Sequence, residues 1–90
     1  MEIKDKITNF FFHPEEGGKV VLTGTSCQSG RGVTTTTVTN FTIIDGKKLV
    51  RTRTGSVYEV VTAEVTTRWM ALQAKRPDIY RKLEAAGFTY

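Results

Sequence analysis

Asp45-Gly46, set between Ile44 and Lys47, constrains the fold of this chain more than any other dipeptide. A two-residue hairpin loop of type I′ needs positive φ at both central positions; Asp-Gly supplies that, so the runs on either side pair antiparallel. Those runs suit strands. Thr is β-branched and strand-favouring, occupies 15 positions and stands four in a row at Thr34 to Thr37. Alternation and short apolar runs predict strands over about 33–44 and 47–54, then 56–61, with 7–12 and 19–25 before them. His13-Pro14-Glu15-Glu16-Gly17-Gly18 reads as the turn between the first two, and Thr54-Gly55 as a second, weaker hairpin signal.

After Val61 the period changes. Val65, Trp69 and Leu72 recur at helical spacing, so about 63–75 reads as an amphipathic helix with Thr62 as its N-cap. A second helix starts with Pro77 at N1, carries Ile79, Leu83 and Ala86 as its apolar stripe, and ends at Gly87 with Phe88 folding back. The expected fold is α+β: an antiparallel β-meander of about five strands followed by two short C-terminal helices. It forms a single domain over 1–90, with the sheet in 1–61 and the helices in 62–90.

Ninety residues with 39% hydrophobic content support one small core, which makes self-association an expected source of extra stability. The net charge of +4 favours anionic partners. A single cysteine, Cys27, cannot form an internal disulfide, which points to a reducing cytoplasm. No segment has the length of a membrane span or the pattern of a signal peptide, and the chain is expected to be a complete small protein. One Cys and one His provide no zinc set, Glu15-Glu16 reads as a turn, and neither a metal nor another cofactor is expected. Cys27 and His13 could serve as a nucleophile and base only if the fold joined them, so the expectation is a protein without catalysis.

Two-residue turns at 45–46 and 54–55 would align Asn40, Arg51 and Tyr58 in one row, and Val38, Arg53 and Ser56 in the next. The opposite face would carry Phe41, Ile43, Val50, Val57 and Val61 as the core side. Two guanidinium forks, an aromatic ring and an amide on one surface suit a phosphate attached to a base. The same residues also describe an ordinary solvated face, with the arginine stems covering Tyr58 and Leu49. A register slip of one would exchange the faces.

The loop from Ser26 to Gly32 reads as a flexible hairpin connection; its amides and Arg31 could also cradle a phosphate. Arg68, Lys75, Arg76, Arg81 and Lys82 make the helical end basic, either as a nucleic-acid surface or as plain solvated faces. Trp69 fits a core anchor or an interface hot spot. Phe10-Phe11-Phe12 cannot place all three rings on one side of a strand, so one of them, Phe11 among the candidates, must meet a helix, solvent or a second copy.

The segments Gly32-Val33-Thr34-Thr35-Thr36-Thr37-Val38 and Leu49 to Val60 resemble short proteins of phages and mobile elements. In layout the chain is similar to the phage anti-Thoeris sponges, whose antiparallel sheet and C-terminal helices sequester cyclic ADP-ribose signals. The resemblance covers about a third of the chain. It implies a viral protein, in the host bacterial cytoplasm, that holds an anionic nucleotide-like small molecule with Arg51, Arg53 and Tyr58, joined by Arg31. The expected function is sequestration of such a signal to evade bacterial immunity, by a homo-oligomer. An anti-CRISPR-like inhibitor of a host defence protein, using Trp69, the Phe run and the basic helices, is the alternative. A small nucleic-acid-binding module is the third reading.

Overall fold

The computed structural model describes residues 2–65 and 67–89. Five strands run in order, β1 (Asp5–Pro14), β2 (Val20–Ser26), β3 (Gly32–Ile44), β4 (Lys47–Thr52) and β5 (Val57–Val60). Two helices follow, α1 (Arg68–Lys75) and α2 (Pro77–Ala86). This is the expected meander with C-terminal helices. Its neighbouring strands are antiparallel, and the sheet then closes into a barrel. Closure has a geometric consequence. A meander reverses direction at every turn, so the first and fifth strands run the same way, and β1 meets β5 in parallel through Asp5↔Tyr58, Lys6↔Glu59 and Ile7↔Val60.

The Asp45-Gly46 turn is as expected, with φ of 52° and 77°, and it sets the pairs Ile44↔Lys47, Thr42↔Leu49 and Asn40↔Arg51. Beyond Asn40 the ladder slips. A bulge at Thr39 pairs Val38 with Thr52 in place of Arg53. The next turn also departs from expectation. Thr52 N–H donates to Ser56 O at 2.9 Å, which leaves three loop residues, Arg53, Thr54 and Gly55, with Gly55 at φ 89°. One added loop residue moves β5 by one position, giving Arg51↔Val57 and Val50↔Tyr58. The expected face assignment of β5 is thereby exchanged: Tyr58 joins the interior, while Val57 turns to the outer face beside Arg51 and Val61 is 53% exposed. Ile43, expected in the core, is 51% exposed beside Gly87.

The Phe run is accommodated by a second bulge. Asn9 takes φ 50°, the left-handed conformation that Asn tolerates better than most residues, and the β1–β2 register shifts between Thr8 and Phe11. Alternation restarts there. Ile7, Phe10 and Phe12 point inward and Phe11 points outward, where the indole of Trp69 covers it at 4.7 Å. Phe12 meets Phe10, Phe41, Trp69 and Phe88 edge-on, at centroid distances of 5.2–6.4 Å.

The first helix starts later than its periodicity suggests. Residues 61–64 continue beside β1: Val61 N–H donates to Ile7 O, Phe10 N–H to Thr62 O, and Glu64 N–H to Phe10 O. Thr62 therefore caps no helix. The free edge of β1 gives these backbone groups fixed partners, whereas a first helical turn would leave its N–H groups unpaired. Val65 is 69% exposed as a result, and only Trp69 and Leu72 are the buried residues of α1. The second helix ends as expected. Gly87 at φ 84° donates to Glu84 O, and Phe88 N–H returns to Leu83 O while its ring is fully buried.

Candidate functional site

Of the residues expected to hold a nucleotide, the fold joins only two. Asn40 and Arg51 pair across β3 and β4 on the outer face, beside a cleft of about 50 Å³ that Thr42, Leu49 and Val57 complete. That volume fits one or two water molecules, at roughly 30 Å³ each. Tyr58 lies on the opposite side of the sheet, 9% exposed, within the core cluster. Arg53 is in the turn, and its N–H donates to Thr37 O. Arg31 lies six residues from Thr37 along β3, about 20 Å at strand rise. The arginine stem of Arg51 flanks Leu49 and Val57, which fits the solvated-face reading of this surface with Val57 in place of Tyr58.

The 26–31 loop has spent the amides a phosphate would need. Ser26 Oγ donates to Asp5 Oδ2 and accepts from the N–H groups of Gln28 and Ser29, at 3.2 and 3.0 Å. Gly30 N–H donates to Ser26 O and Arg31 N–H to Ser29 Oγ. The buried Ser26 hydroxyl thus organises a closed turn, where sequence alone suggested a flexible connection. Cys27 is anchored to Lys6 at one end of β1 and His13 stands near the other, about 20 Å of strand away.

The rings expected at an interface are covered within the chain. Trp69 is 2% and Phe11 4% exposed, because α1 lies across the outer face of β1. This packing makes a different surface. Beside Phe11, a groove of about 360 Å³ has a floor of Phe11, Pro14, Ala71 and Leu72. Its rim is basic, formed by His13, Lys75, Arg76 and Arg68. Arg68 lies over the Phe11 ring at 4.2 Å and bonds Glu64 at 3.1 Å. Arg76 reaches Asp78 at 3.4 Å, and its guanidinium, helped by the Ile79 N–H, holds that carboxyl below its ordinary range. Lys75 makes no ion pair among the described residues.

The comparisons add no relative. No family model, curated protein or solved structure matches this chain. Sequence reasoning identified Lys75 and Arg76 as members of a basic helical end, and missed that Phe11 and Pro14 floor a groove beneath them. The signal was present in the odd ring of the Phe run, which had to lie on the strand face opposite its neighbours. No helix among the described residues is long and apolar enough to cross a membrane.

Proposed function

We propose that this chain is a binding protein without catalytic chemistry, that its ligand is an anionic nucleotide-like small molecule, and that the groove between β1 and α1 holds it. One observation carries the reading: an apolar floor under a basic rim matches a ligand with an apolar body and an anionic end. The base would rest on Pro14 and Ala71, beside the nearly covered edges of Phe11 and Leu72, and the phosphate would meet Lys75 and Arg76. Sequestration needs no more than this, since no bond is made or broken. The biological setting in the proposal, evasion of bacterial immunity by a phage or mobile element, rests on the resemblance of the 32–38 and 49–60 segments.

A melting experiment with cyclic and linear nucleotides tests it, because a ligand that binds only the folded state raises Tm by mass action. The expected result is a shift that Lys75→Glu abolishes and that Arg51→Ala and Arg53→Ala leave intact. Absence of any shift across the panel rejects the nucleotide reading. Docking on a host protein is the second reading, favoured by Met70 and Val65, which are 70% and 69% exposed on and just before α1. It predicts instead a co-purifying partner that Met70→Lys releases.

A further inference from the structure

A second concavity lies on the other side of Arg68, about 580 Å³ over the outer face of β1, β2 and β3. Its floor is hydroxylic. Thr23 and Thr25 alternate onto this face of β2, Thr34 stands opposite Thr23 on β3, and Asn9 contributes from the β1 bulge. The Glu64–Arg68 pair, at 3.1 Å, and the exposed Val65 form the wall.

Two glycines border the floor, and the fold requires only one of them. A Cβ on Gly24 would stand 2.4 Å from Ile7 Cγ2 and 2.8 Å from Thr8 O, so close strand packing excludes any side chain there. A Cβ on Gly32 would meet nothing within 4 Å, and Gly32 is not among the glycines of positive φ. Gly32 is the first residue of β3 and pairs with Thr25. Neither packing nor conformation accounts for glycine at this position, whereas close approach of a ligand beside Thr25 does.

The polar groups also define the ligand class. The Thr25 and Thr34 hydroxyls and the Asn9 amide both donate and accept, as sugar hydroxyls do, while Thr23 Oγ1, which donates to Phe11 O at 3.1 Å, is left to accept. Among the described residues lining the groove, Glu64 and Arg68 are the ionisable ones, and they carry opposite charges paired at 3.1 Å. The exposed Val65 gives apolar contact for C–H faces. We propose that this groove binds a neutral polyhydroxylated ligand, a short oligosaccharide. The proposal is independent of the basic groove, from which it differs in ligand charge and in every lining residue except Arg68.

The test uses the whole chain, a panel of neutral mono-, di- and trisaccharides, and ligand-observed NMR saturation transfer, with Gly32→Val and Asn9→Gly as variants. Val is β-branched and enters open space, while Gly relieves the left-handed φ at position 9, so both variants should melt at or above the parent temperature. The expected result is saccharide binding by the parent chain, lost in Gly32→Val and weakened at least fivefold in Asn9→Gly. Any nucleotide-induced melting shift should be unchanged in both variants, which separates this groove from the one at Lys75. Binding by no saccharide, or binding that survives Gly32→Val at full strength, overturns the proposal.

Discussion

The barrel interior and the helical lid are held by different means. Inside the barrel, Phe12 of β1 touches rings from β1, β3, α1 and Phe88, two residues past α2, so removal of one ring loosens several elements together. The lid makes its ring contacts near its two ends, Trp69 against β1 and Phe88 against Phe12 and Phe41, while between them it is held by the buried aliphatic side chains of Leu72, Ile79 and Leu83. This difference assigns the two regions different modes of failure. Interior damage should lower the stability of the whole molecule, whereas lid damage should appear first as local opening.

Phe12→Ala is expected to have the largest effect, a loss of about 3–5 kcal/mol, seen as a lower denaturant midpoint by circular dichroism. The transition should stay single and cooperative. Two separated transitions would show that barrel and lid are independent even at their shared ring. Trp69→Ala is the converse experiment. Its side chain is almost fully buried against Phe10, Phe11 and Phe12, yet all three rings belong to one strand. A local loss of about 3 kcal/mol is expected, read by hydrogen exchange as faster exchange of the α1 amides while Leu22 and Val50 stay protected. Uniform acceleration through the barrel would break the distinction between the two regions.

Gly87→Ala addresses the far end of the lid. Gly87 holds φ 84°, and a Cβ there would make ordinary contact with Ile43 at 3.5 Å, so the cost is conformational and not steric. A loss of about 1 kcal/mol in chemical denaturation is expected. Ala85→Gly, within α2, should cost a similar amount by helix propensity, which provides a reference for the size of the effect.

Much of this architecture was legible in the chain, and the failures have local causes. Asp45-Gly46 announced its turn and register because that dipeptide matches one loop geometry. Thr54-Gly55 did not, since a Gly of positive φ serves both two- and three-residue loops, and the difference decides which face Tyr58 occupies. That single residue of loop length removed Tyr58 from Arg51 and with it the expected nucleotide surface. Barrel closure was also hidden, because parallel contact between β1 and β5 joins residues more than 50 positions apart and leaves no local sign. Asn9 was equally silent: nothing before the Phe run marks the bulge that turns Phe11 toward α1. The groove there was unreadable as a unit because its floor and rim come from β1 and α1 separately, brought together by Trp69.

The smallest expected effect lies at the junction of the two lid helices. Arg76 donates to Asp78 across the α1–α2 break, and that bond, more than the Ile79 N–H, lowers the Asp78 carboxyl from its ordinary range. A carboxyl that is lower in the folded chain contributes stability above its unfolded value and loses it as the pH falls through its folded value. The Asp78 side chain is 60% exposed, so solvent screens the pair and the contribution is small. Asp78→Asn should therefore melt slightly below the parent at neutral pH and low salt, and the two curves should converge in acid and also in high salt. If the lid opens locally, the difference should be larger in α2 amide exchange than in global melting. Equal effects in both would join the lid to the barrel as one cooperative unit, against the separation expected from Trp69→Ala.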